Sequence, residues 1–146
     1  MNIDARKALR FRWRQRLARA WAAPCSALGM LLGLAVMLWG GGVQVRAGAV
    51  EFAGGSLGRL VARLPAPFGF SAITFGHVVL AVDAATLDAV RAHEQVHVRQ
   101  YERWGIFFFP AYVLSSLVQL ARGRRPYLDN HFEREAYGRA RPRRYR

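Results

Sequence analysis

The chain has 146 residues, 22 Lys plus Arg against 9 Asp plus Glu, and a formal charge of +13. That length suits one ordinary domain, and the lone cysteine, Cys25, excludes an internal disulfide. The basic balance is compatible with nucleic acid, anionic lipid or plain solubility. No nucleic-acid-binding motif accompanies it, so nucleic acid is not an expected partner.

Residues 1–19 carry seven basic side chains and one acid, Asp4. Residues 20–42, AWAAPCSALGMLLGLAVMLWGGG, carry no charge. About 20 apolar residues cross a bilayer as a helix, and Trp21 and Trp39 stand near the two ends, where interfacial aromatics belong. A cleaved signal peptide has a shorter apolar region of roughly 7–15 residues, so this stretch reads as an uncleaved anchor. Cys25, inside it, reads as a packing residue. The basic flank predicts a cytoplasmic N-terminus. This implies a single pass through the inner (cytoplasmic) membrane, with the rest of the chain and any site on the outer face.

Residues 43–53 alternate weakly through Val43, Val45, Val50 and Phe52 and predict a strand. Ser56 predicts a capped short helix through Leu64, which Pro65-Ala66-Pro67 breaks. Residues 70–82, FSAITFGHVVLAV, are rich in β-branched and aromatic residues and predict one strand, with Gly76 marking a bulge or close backbone approach. Asp83 predicts an N-cap, followed by a helix from Ala84 to about Arg103. On it, Val90, His93, His97, Gln100 and Trp104 recur at three- and four-residue spacing and share a face. Gly105 is the expected stop.

The next segment, 105–121, is apolar but only 17 residues long and contains Pro110. It is short for a spanning helix. Beyond it the tail holds nine arginines, and Asn130 predicts the cap of a short helix through about Tyr137, before Pro142. The organisation expected is a basic N-terminus (1–19), an anchor (20–42), a domain (43–140) with 105–121 apposed to the membrane, and a basic tail (141–146).

His93-Glu94-Gln95-Val96-His97 fits HExxH. On a helix, residues four apart lie one turn apart, so two imidazoles can meet one zinc ion. The adjoining Glu94 can take a proton from a water that zinc has acidified. The other readings of the motif are a structural metal site and coincidence. A catalytic zinc needs a third protein ligand, for which Asp129, His131, Glu133 and Glu135 are candidates. With Asn130 as cap, Glu133 also occupies the third helical position, where a glutamate closes a capping box. His77 is a candidate for stabilising an oxyanion. Tyr101 and Trp104 read as packing residues.

HExxH, followed after a hydrophobic insertion by Phe132-Glu133-Arg134-Glu135-Ala136-Tyr137, resembles the membrane metallopeptidases of the CAAX-endopeptidase and HtpX type, a gluzincin pattern. In that family a glutamate in an F-E-x-x-A-D-like string on a second helix is the third ligand. The resemblance therefore implies Glu133. Thr74-Phe75-Gly76-His77-Val78-Val79-Leu80 resembles the family's strand before the metal helix, which pairs with substrate. Where the family has an aspartate that holds a ligand histidine, this chain has Tyr137. Tyr137, Glu135 or Asn130 would have to replace it. The resemblance implies an α+β fold, an N-terminal transmembrane helix plus a small, mainly helical zincin-like domain with a few strands. It also implies Zn2+ as cofactor and a peptide or protein as substrate.

Topology bears on this directly. If 105–121 crossed the membrane, His97 and Glu133 would lie on opposite sides. If it re-enters, lies in the interface or folds at Pro110, they stay together, and that arrangement is expected. The alternative function is a non-enzymatic basic membrane protein that binds anionic lipid or a membrane partner.

Overall fold

The structure is a computed structural model that describes residues 3–65 and 70–140, with side chains from residue 12 onward. The expected break at Ala66 and Pro67 and the tail 141–146 lie outside the described residues.

The fold is α+β, and α1 (Ile3–Leu38) continues through both the basic flank and the apolar stretch. The apolar helix therefore ends at Leu38 rather than 42. The strand expected over 43–53 is a hairpin of two, β1 (Gly41–Arg46) and β2 (Ala49–Gly54). They turn at Ala47-Gly48, whose φ values of 50° and 81° suit a tight two-residue connection. α2 (Gly55–Val61) starts at Gly54 without a side-chain cap, because the Ser56 hydroxyl donates to the Trp39 carbonyl instead.

The single strand expected over 70–82 is also a hairpin. β3 (Ala72–Phe75) and β4 (Val78–Ala81) join at Gly76-His77, so Gly76 makes a turn rather than a bulge. The sheet order is β1-β2-β4-β3, with β2 and β4 parallel and the other pairs antiparallel. β4 is buried along its whole length, which explains its unbroken apolar run. Val78 and Leu80 pack with Val36 and Phe52 on the α1 side. Val79 and Ala81 pack with Leu87 and Val98 on the side of α3 (Ala84–Trp104).

α1 approaches the sheet through small residues. A Cβ on Gly33 would lie 2.3 Å from the Phe52 ring, and one on Gly29 would lie 2.7 Å from Val78 Cβ. The apolar stretch is thus one wall of the domain and does not stand clear of it. Its N-terminal end sits at the far side of the molecule, where Ala22 packs with Tyr101, Phe108 and Phe132.

α3 begins as expected, with the Asp83 carboxylate accepting from the Thr86 N–H at 2.7 Å. It ends at Gly105, where φ is 55° and the Trp21 indole would lie 2.2 Å from an added Cβ. A 3-10 turn over Gly105–Phe107 leads into α4 (Phe108–Ala121). Pro110 does not interrupt α4. It is the third residue, where no intrahelical bond needs an N–H. α5 (His131–Ala140) then returns the chain to α3. Two helical stretches, Arg12–Leu38 and Ala84–Ala121, are long and apolar enough to cross a membrane by length and composition.

Candidate metal centre

His93 and His97 lie one turn apart on α3, and α5 brings Glu133 against both. His93 Nε2 is 3.1 Å from His97 Nε2. Glu133 Oε2 is 3.2 Å from His93 Nε2, and Glu133 Oε1 is 3.4 Å from His97 Nε2. Two donors bonded to one zinc at about 2.05 Å and a tetrahedral angle stand about 3.3 Å apart. The imidazole pair matches that spacing, each imidazole has one Glu133 oxygen at a similar distance, and one donor atom from each of the three residues lies within 4.8 Å of the others. Glu133 Oε2 is buried and lacks hydrogen-bond geometry toward any group, His93 included. A buried carboxylate oxygen without a partner is costly unless something else satisfies it. The donor set therefore fits a divalent cation with a preference for imidazole and carboxylate.

Burial alone would raise the Glu133 carboxyl. The His93 and His97 imidazoles and the Tyr112 hydroxyl outweigh that effect and hold it well below the usual carboxylate range. It is therefore ionised, as a metal ligand must be. Tyr112, on α4, donates to Glu133 Oε1 at 2.8 Å.

The remaining downstream candidates are elsewhere. Asp129 accepts from the Arg125 N–H, His131 is exposed, and Glu135 meets Arg139 and Gln100. The capping box is not formed either. Asn130 caps α5 by accepting from the Phe132 N–H at 2.9 Å, but its own N–H donates to the Tyr127 carbonyl. Glu133 is thereby left to face the histidines.

None of Tyr137, Glu135 and Asn130 bonds a ligand histidine. The Tyr137 ring packs on His93 with centroids 4.6 Å apart, and His93 Nδ1 is buried without a partner among the described residues. The residue that orients a histidine is Gln100, at 2.8 Å from His97 Nδ1. Its amide nitrogen also donates to the Phe132 carbonyl at 3.0 Å and to Glu135 at 2.9 Å. One buried amide therefore ties the histidine helix to the glutamate helix. Gln100 was visible on the histidine face of the sequence, although its role was not.

Glu94 is buried and accepts from the Thr74 hydroxyl at 2.7 Å, which fixes its carboxylate against β3. Thr74 and Tyr112 come from remote elements, and no local pattern marks them. His77 does not reach the site. It sits on the β3–β4 turn, and its Nε2 lies 3.1 Å from Glu102. The oxyanion role expected for it is not available in this geometry.

The cluster opens into a cleft of about 540 Å3 lined by Ser71–Phe75 of the edge-strand segment, by Glu94 and the ligands, and by Phe108, Phe109, Tyr112 and Tyr127. β3 pairs only with β4 among the described residues, so its other side is an unpaired edge bordering that cleft. No protein-family model matches this chain, and neither does any curated protein or solved structure.

Proposed function

We propose that this chain is a membrane-held zinc peptidase of the gluzincin type. The observation that carries the reading is the convergence of His93 Nε2, His97 Nε2 and the Glu133 carboxylate, one donor atom of each lying within 4.8 Å of the others. His93, His97 and Glu133 would hold the ion. Zinc there would polarise a water and bring its pKa down to about 7.

The chain's own groups do the rest. Glu94, held by Thr74, accepts a proton from a water entering the cleft as the water oxygen bonds to the peptide carbonyl carbon, and returns it to the amine nitrogen as the C–N bond breaks. The free edge of β3 offers main-chain pairing to an extended substrate. With His77 turned away, Tyr127 is the hydroxyl on the cleft wall suited to donate to the substrate carbonyl oxygen. Burial, and after it Tyr137 and Glu133, push the Tyr127 hydroxyl above its ordinary value, which keeps it a donor.

We also propose a side of the membrane for the site, supported by packing. Trp21 packs on Phe107 at 5.9 Å, and Ala22 packs on Phe132. The site therefore lies level with the arginine-flanked end of α1. With that end cytoplasmic, the site is cytoplasmic too, opposite to the outer-face position expected from the sequence. A reporter fused after residue 146 should then signal from the cytoplasm.

The central test uses the purified full-length protein. It should hold one zinc per chain, and His93→Ala should lose it. Glu94→Gln should keep the zinc and lose hydrolysis of a mixed peptide library. Zinc retention with equal hydrolysis in Glu94→Gln would sink the assignment. Zinc in both histidine-intact forms without hydrolysis in either would point to a structural metal.

A further inference from the structure

α4 is amphipathic in the wrong sense for water. Tyr112, Ser115 and Ser116 turn toward α5, where they meet Glu133, the His131 N–H and the Asn130 amide. Phe109, Val113, Leu114, Leu117 and Leu120 turn outward and are 39–62% exposed. A helix on a soluble domain buries its apolar arc and exposes its polar one.

Both ends of α4 carry exposed arginines, Arg99 and Arg103 before it and Arg122, Arg124 and Arg125 after it. Arg99, Arg122 and Arg124 make no ion pair among the described residues. The helix has 14 residues, about 21 Å at 1.5 Å per residue, against a hydrocarbon core of about 30 Å. His93 before it and Glu133 after it also meet at one site, which a helix crossing the bilayer between them would prevent.

We propose that α4 docks in the plane of an anionic lipid leaflet, with its apolar arc at the acyl boundary and the arginines at both ends on lipid phosphates. Charge selects this occupant. A second copy would present the same surplus, 22 cations to 9 acids, against these arginines, whereas anionic headgroups neutralise them. This gives the membrane-apposed segment a face, a lipid class and a depth, and it requires neither zinc nor hydrolysis. It also has a consequence for the site. The polar stripe that holds the start of α5, and Glu133 with it, is the back of a lipid-docked helix.

The test is a depth profile. In a Cys25→Ser background, single spin labels go at Phe109→Cys, Val113→Cys, Leu117→Cys and Leu120→Cys. The full chain is placed in vesicles of phosphatidylglycerol and phosphatidylcholine, and collision with oxygen and with a water-soluble nickel chelate is measured. All four labels should sit below the headgroups at similar depth, about 5–10 Å. A helix that crosses would instead spread them progressively over about 16 Å, and that profile would overturn the proposal. Water-accessible labels would overturn it as well, and would assign the face to a protein. Each arginine at an anionic surface is worth about five-fold in the docked ratio. Arg122→Gln with Arg124→Gln should therefore lower it about 25-fold in the mixed vesicles, with little effect in phosphatidylcholine alone. An equal effect in both lipids would remove the anionic leaflet as partner. Labels that read differently while zinc content stays constant would keep this result separate from the fate of the peptidase reading.

Discussion

Replacing Gln100 by leucine keeps the size of the side chain and removes three hydrogen bonds at once. The residue has no solvent exposure, and its partners are His97 Nδ1 at 2.8 Å, the Phe132 carbonyl at 3.0 Å and Glu135 at 2.9 Å. Glu135 keeps Arg139, at 2.9 Å, and can recover water. The other two groups are in the interior, and a buried polar group left without a partner costs about 1–3 kcal/mol. The expected loss of stability is therefore roughly 2–6 kcal/mol from the two orphaned groups. The expected loss of zinc affinity is about 10–100-fold, the usual effect of removing a group that orients a ligand histidine. Competition against a chelator and thermal unfolding in detergent micelles read the two quantities separately. Gln100→Glu sharpens the test, because a carboxylate can still accept from His97 Nδ1 but cannot donate to Phe132 and faces Glu135. It should restore most of the zinc affinity and little of the stability. A Gln100→Leu protein with wild-type zinc affinity would refute the orienting role, however unstable it proved.

Thr74→Val removes the hydroxyl that holds Glu94 and should lower hydrolysis while zinc content stays at one per chain, as metal analysis and turnover on one sample would show. Gly33→Leu drives a side chain into a ring 2.3 Å from the Cβ position and should cost upward of about 1–3 kcal/mol, read as a lowered unfolding midpoint. Asp83 caps α3 with its carboxyl held below the ordinary value, chiefly by the Thr86 N–H. Its stabilising effect is present above the unfolded carboxylate pKa and fades as pH falls through the lowered folded one. Asp83→Asn should keep a cap and flatten that part of the acid profile, which unfolding midpoints from pH 6 downward would reveal.

The helices were the legible part of the chain because their signals are local. Asp83 and Asn130 announce their caps, and the three- and four-residue spacing from Val90 to Trp104 defines the histidine face. The strands were less legible for two reasons. β4 is covered on both faces, so it has no alternation and merges with β3 into one apolar run. The turns at Ala47-Gly48 and Gly76-His77 also lack the Asn-Gly or Asp-Gly pairs that advertise hairpins. Pro110 read as an interruption because its distance from the true helix start was unknown, and at the third position it is harmless. Within the site, the two histidines follow from HExxH alone, while Glu133 stood among four candidates until a family pattern singled it out. Gln100, Thr74 and Tyr112 act through contacts 3, 20 and 21 residues away in sequence. Only the first of those separations is short enough to leave a periodic trace.

The small-residue stripe of α1 has a bearing on how the protein is made. Phe52, Phe75 and Val78 have their cover in Gly29, Gly33 and the residues around them. A leader peptidase cutting after the apolar stretch would leave an apolar plate facing water. Synthesis delivers that stretch first, so the ribosome presents the template before the strands that fold upon it. A segment long and apolar enough to cross a membrane is then also the scaffold that the sheet needs in order to close.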